Sequence, residues 1–142
     1  MIYFKVNIEP YGKGRPRITI IGGRPHAYTP EKTREYEQII RSAFKKTKQQ
    51  GYFNGEALCV DCLFEFGVPK SYTKKDTKLC LSGEKDHTKK PDIDNCIKSV
   101  LDALQGNGGA FADDTQIVSI SATKKYADSP AVIIKIWDKG EK

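Results

Sequence analysis

No stretch of about 18 apolar residues occurs in the 142-residue chain, which excludes a membrane-spanning helix. The opening Met1-Ile2-Tyr3-Phe4-Lys5 lacks the charged lead and the long apolar run of a secretory signal, so a cytoplasmic location is expected. Cysteine is scarce. Cys59 and Cys62 form a C-x-x-C, but no second pair follows at zinc spacing, and Cys80 and Cys96 stand alone. Cys59 and Cys62 also fall in an alternating stretch, where residues three apart point to opposite faces. Reduced, partly buried thiols are expected, not a zinc or redox centre. Histidine is scarcer still, and His87, alone in an aperiodic stretch, reads as inert. No internal repeat and no domain boundary is visible, and the length suits one domain with its own core. Acidic residues are in deficit: 18 Asp and Glu face 24 Lys and Arg, a net charge of +6. That balance favours a polyanionic partner.

Residues 2–8 alternate, with Ile2, Phe4, Val6 and Ile8 on one face, as in a half-buried strand. Residues 10–30 contain no acidic residue but hold Lys13, Arg15, Arg17 and Arg24. Ile18-Thr19-Ile20-Ile21 reads as a short strand closing a hairpin through Gly22-Gly23. The segment is read as phosphate-contacting, with a merely soluble basic hairpin as the plain alternative. Thr29-Pro30 signals a helix start, Thr29 as N-cap, and Tyr36, Ile39, Ile40, Ala43 and Phe44 recur at helical spacing to about residue 50. Residues 57–66 alternate again as a strand. Residues 68–91 show no usable periodicity and read as a long flexible loop, with seven lysines against three acids. Lys74, Lys75, Lys89 and Lys90 are its candidate DNA contacts. Residues 92–105 read as a second helix, with Ile93, Ile97, Val100 and Leu104 as its apolar stripe. Residues 116–125 and 131–137 alternate around Asp128-Ser129-Pro130 and read as a hairpin. The expected fold is α+β: a mixed, mainly antiparallel sheet of four or five strands with two helices packed on one face.

The most informative stretch is Lys90-Pro91-Asp92-Ile93-Asp94-Asn95, followed by Lys98 and, about one helix later, Asp113-Asp114. Asp92 and Asp94 could be a plain N-cap and a dipole-favoured first-turn acid. That does not account for the second acidic pair. Asp94, Lys98 and Asp102 form a charged stripe at i, i+4, i+8, which a surface ion pair also explains. In the following strand Asp114 shares parity with Val118, Ile120 and Ala122, so it is expected to face the helix layer, with Asp113 turned away. Converging carboxylates repel unless a cation joins them, and oxygen-only ligands select a hard ion. Asp92, Asp94 and Asp114 are therefore the expected ligands of Mg²⁺, or alternatively Mn²⁺, with Asp113 as an alternate ligand. Such an ion polarises a scissile phosphate and activates water, while Lys98 offsets charge in the transition state.

Those residues, with Asp102-Ala103-Leu104, Ala112-Asp113-Asp114-Thr115-Gln116-Ile117, Lys13-Gly14-Arg15-Pro16-Arg17 and Tyr28-Thr29-Pro30, closely resemble the RusA family of Holliday-junction resolvases. These are small bacterial and phage endodeoxyribonucleases. The resemblance spans most of the chain. It implies that Asp92, Asp94 and Asp114 are the catalytic Mg²⁺ ligands and Lys98 the essential lysine. It also implies a homodimer that nicks two opposed strands of a four-way junction in recombination and repair, at the nucleoid. A non-catalytic DNA-binding module, or a metal nuclease acting on other branched DNA, is the rival expectation.

Overall fold

The computed structural model describes residues 1–12, 17–28, 30–47 and 52–141. The strands are β1 (Ile2–Val6), β2 (Arg17–Ile21), β3 (Arg24–Tyr28), β4 (Leu58–Gly67), β5 (Ile117–Ala127) and β6 (Ala131–Asp138). The helices are α1 (Glu31–Lys46), α2 (Lys74–Ser82) and α3 (Ile93–Leu104). Four strands form one sheet in the order β1-β6-β4-β5, while β2 and β3 form a separate two-stranded ribbon. The β1–β6 and β4–β6 pairs are antiparallel and the β4–β5 pair is parallel.

The alternation of the sequence is the alternation of the sheet. Even-numbered residues pair with even-numbered ones across it, as Ile2 with Ile136, Val60 with Ile136 and Cys62 with Ala122. One face therefore collects Ile2, Phe4, Val6, Leu58, Val60, Cys62, Phe64, Phe66, Val132, Ile134 and Ile136, all buried. The same core takes Tyr36, Ile40 and Phe44 from α1, Cys80 from α2, and Cys96, Val100 and Leu104 from α3. The four cysteines are unpaired. Burial pushes the thiols of Cys62 and Cys96 up to about 12 and about 11, which keeps both protonated at neutral pH.

Several expectations are corrected here. The sheet is mixed rather than mainly antiparallel, and the described residues form three α-helices, not two. β5 and β6 are not a hairpin: β4 lies between them, because β5 runs parallel to β4 and the chain must cross over it to form β6. Residues 68–91, expected as a loop, contain α2. Thr73 caps it, accepting the backbone N–H of Asp76 at 3.1 Å, and Gly83 ends it in the left-handed region at φ +86°. Thr29 lies outside the described residues, and Pro30 takes the N-cap position of α1. Among the described residues, no helix is long and apolar enough to cross a membrane.

The segment after α2 is tied back to the sheet by rings. His87 stacks on Phe66, centroids 3.8 Å apart and planes 13° from parallel, and meets Tyr126 at 5.0 Å. Burial first, then the charge of Lys124, holds the imidazole below its ordinary 6.5. The folded state thus resists a proton that the unfolded chain accepts. Its stability is fully present above the unfolded value and is lost as pH falls below it toward the folded one. We expect the urea midpoint of the wild type to fall from about pH 7 to about pH 5 by more than that of His87→Phe, which keeps the stack. Equal falls would show that His87 contributes nothing.

Candidate active site

α3 buries Cys96, Ser99, Val100, Leu101, Ala103 and Leu104, which leaves Lys98 on its solvent side. Lys98 Nζ lies 3.3 Å from Asp102 Oδ1 and 3.7 Å from Asp114 Oδ2. One ammonium thus joins the helix to the turn ahead of β5. Lys98 is 55% exposed, so these pairs add little to stability and leave the charge within reach of an incoming anion. Asp102, on the charged stripe but not among the expected ligands, lies against the lysine.

Asp92 is the N-cap residue of α3, yet its side chain accepts no capping hydrogen bond. Asp94 follows in the first turn, where the helix dipole favours a carboxylate. Both are exposed. Among the described residues, no ion pair occupies either carboxylate.

Asp113 and Asp114 have different surroundings. Asp113 caps a single 3₁₀ turn, Asp114–Gln116, its Oδ1 accepting the Thr115 N–H at 3.0 Å. That backbone donor, first among its causes, holds the Asp113 carboxyl below the ordinary carboxylate value. The Gln116 side chain closes the capping box and extends it. Its Oε1 accepts from the backbones of Ala112 and Asp113, each at 3.0 Å, and its Nε2 donates to the carbonyls of Phe53 and Glu56 at 3.3 and 3.1 Å. Gln116 therefore fixes the turn that presents Asp114, a role that no local sequence signal announced beyond its spacing from Asp113. The parity argument for Asp114 does not hold, because β5 starts at Ile117 and the turn precedes it. Val118 and Ile120, expected under the helix layer, are 55% and 43% exposed at the sheet edge.

Among the described residues, no three His, Cys, Asp or Glu side chains come together closely enough to hold an ion. The structure brings Lys98, Asp102 and Asp114 together and leaves Asp94 one turn before Lys98 and Asp92 at the N-cap of the same helix. The donors still suit a hard divalent cation in kind. All are carboxylates, and the Asp92 side chain is not consumed as a cap.

A groove of about 420 Å³ runs beside Asp92, lined by Pro10, Tyr11, Gly12, Lys90, Pro91 and Asn95. Gly12 packs so tightly that a Cβ there would fall 2.4 Å from the Cβ of Pro91. Tyr11 anchors the same segment to α1, its hydroxyl 3.0 Å from Oγ1 of the buried Thr33. On the other side, Lys124 Nζ donates to the Lys89 carbonyl at 2.7 Å and pins the approach to Asp92. Of the expected DNA contacts, one lies in this groove. Lys90 lines it, and Lys89 lies 5.2 Å over the Tyr72 ring. Lys74 and Lys75 are exposed on the first turn of α2, and Arg24 is exposed on β3. Arg17 begins β2, while Lys13 and Arg15 lie outside the described residues.

Residues 7–137 match the family described as endodeoxyribonuclease RusA. The chain belongs to the RusA family. It is also 32% identical over 137 residues to a Bacillus subtilis (strain 168) protein described as uncharacterized protein YqaN, covering 95% of this chain and 94% of that one. RusA-family proteins are endodeoxyribonucleases that resolve Holliday junctions, act on branched DNA and generally depend on a divalent metal. In this RusA-family chain, Lys98 and the four carboxylates around it all lie within the matched residues.

Proposed function

We propose that this protein is a Mg²⁺-dependent, structure-selective endonuclease that resolves Holliday junctions by paired nicks during recombination and repair. The observation that carries the reading is the exposed Lys98 ammonium, paired with Asp114 and one helical turn from the unpaired Asp94, with the unpaired Asp92 at the N-cap of the same helix. Asp92, Asp94 and Asp114 would hold the ion; Mn²⁺ has the same ligand chemistry. When bound, that ion supplies a polarised scissile phosphate and a water of lowered pKa. Lys98 supplies a second positive charge, aimed at the charge that develops on the phosphate oxygens. Asp102 keeps the lysine extended toward the turn, and Asp113 with Gln116 holds the turn that carries Asp114. Lys90, Arg24 and the lysines of α2 bind the backbone of the DNA, a sequence-independent and salt-sensitive contribution. One site per subunit of a homodimer makes the two opposed cuts.

The test is a nicking assay on a synthetic mobile four-way junction and on linear duplex of the same arms. Purified protein is expected to nick the junction in preference to the duplex when Mg²⁺ is present, and EDTA is expected to abolish cutting while binding persists. Binding without nicking under every metal condition would leave a DNA-binding module and overturn the nuclease reading.

A further inference from the structure

The β2–β3 ribbon has a composition that the nuclease chemistry does not use. Its register pairs Ile18 with Ala27 and Ile20 with Pro25, so these four residues share one face. Thr19, His26, Ile21 and Arg24 share the other. Ile18, Ile20 and Ile21 are 72%, 74% and 61% exposed. A two-stranded ribbon has no core of its own to justify exposed isoleucines, and Ile18 and Ile20, large, exposed and side by side on one face, mark a contact surface. The tip is a tight Gly22-Gly23 turn with φ of +59° and +78°, which leaves the flanking Ile20, Ile21 and Arg24 as the leading side chains.

Charge decides between occupants. No acidic residue occurs from position 10 to position 30, and the chain as a whole carries +6. A second copy of this chain would bring like charge to the ribbon, whereas DNA brings the opposite sign. Apolar side chains on basic β-ribbons enter DNA by parting a base step, at the cost of unstacking. That cost is lowest where bases are already imperfectly stacked, as at a branch point. The length of chain between the ribbon and the site lets the ribbon reach DNA held at the site. Gly12 is packed on Pro91 beside Asp92, and β2 starts five residues later, a span of at most about 17 Å.

We infer that Ile18 and Ile20 form an apolar wedge that enters branched DNA at the branch point and thereby selects branched DNA over duplex. This rests on the branched-DNA reading above and adds to it the element that recognises the branch. The test places 2-aminopurine at the branch point of an immobile four-way junction and follows its fluorescence in EDTA, where nothing is cut. Wild-type protein is expected to raise the fluorescence on binding. The double variant Ile18→Thr/Ile20→Thr, conservative for a strand, is expected to bind without the rise and to lose about tenfold of the preference for junction over duplex. Ile20→Phe keeps an apolar wedge and is expected to keep the rise; matching urea midpoints show that all three proteins are folded. A wild-type protein that prefers junctions without any rise overturns the wedge while leaving the nuclease reading standing. So does a double variant that retains both rise and preference. A double variant that sediments as monomer where the wild type sediments as dimer assigns the face to a second copy and overturns the wedge as well. A wild-type protein with no preference for junctions defeats the branched-DNA reading itself, and the wedge falls with it.

Discussion

Asp94→Asn is expected to slow junction nicking by about 10²–10³-fold or more, the scale seen when one group aimed at developing charge is removed. Junction affinity is expected to stay within about threefold, because the lysines and arginines proposed to bind the DNA backbone are other residues. The substitution keeps the shape of the side chain and removes its charge, so it isolates the chemistry from the fold. Asp92→Asn should behave alike, since that carboxylate makes no capping bond whose loss would disturb α3. Asp114→Asn should match them in rate and also relax the pairing with Lys98 at 3.7 Å. Asp113→Asn is the informative contrast. An amide oxygen can still accept the Thr115 N–H that the Asp113 carboxylate accepts at 3.0 Å, so the turn survives and nicking should stay within about threefold of wild type. Single-turnover nicking of a labelled junction at saturating protein measures all four. Full activity in Asp94→Asn would sink the assignment of this site, and an inactive, folded Asp113→Asn would move the ligand by one residue.

The strands and two of the helices were legible because their alternation and 3.6-residue stripes are enforced by a single buried face. Ile2, Phe4 and Val6, or Leu58 to Phe66 at every second position, leave little choice of which side goes inward. α2 was not legible by periodicity because it buries only Cys80. Its cap was written locally in Thr73, Asp76 and Gly83, a signal that an apolar-stripe search passes over. The order of the sheet was also hidden. Asp128-Ser129-Pro130 suggests a hairpin, but Val118 and Ile120 are poor partners for a covered strand, and β5 takes the edge, parallel to β4. For the site, spacing along one helix sufficed to pair Lys98 with Asp102, whereas Asp94, on the same stripe, makes no ion pair with the lysine. Sequence preferred Asp114 to Asp113 by parity and by resemblance, but the different surroundings of the two carboxylates come from a 3₁₀ turn that engages Asp113 as its cap. Parity reached Asp114 through a strand that begins three residues too late to set it.

Arg41→Met is expected to destabilise the protein by about 3 kcal/mol, more than any exposed charge elsewhere on the surface. The reason lies at the far end of α3. The last carbonyls of a helix have no intrahelical donor. Here Arg41 of α1 supplies one guanidinium to three carbonyls at and just beyond that end: Nε donates to the Ala103 carbonyl at 2.9 Å, Nη1 to that of Asn107 at 3.2 Å, and Nη2 to that of Gln105. The chain then doubles back on itself. Gly109 lies so close that a Cβ would fall 2.0 Å from the Leu104 carbonyl oxygen, and the Ala110 N–H donates to that oxygen at 2.7 Å. With Arg41 gone, the Ala103 and Gln105 carbonyls keep their partial burial and lose a charged donor that also suits the negative end of the helix. Arg41→Lys should recover less than half of the loss, because an ammonium cannot fork across three carbonyls. The measurement is the urea midpoint at unchanged slope. The effect should also reach the site: Ala103 follows Asp102, which holds Lys98 at 3.3 Å, so a frayed α3 end releases the lysine from its turn. Arg41→Met should therefore lose nicking at a lower temperature than the one at which its far-ultraviolet signal melts, whereas in wild type the two coincide. Coincidence in the variant would confine Arg41 to stability and detach it from the position of Lys98.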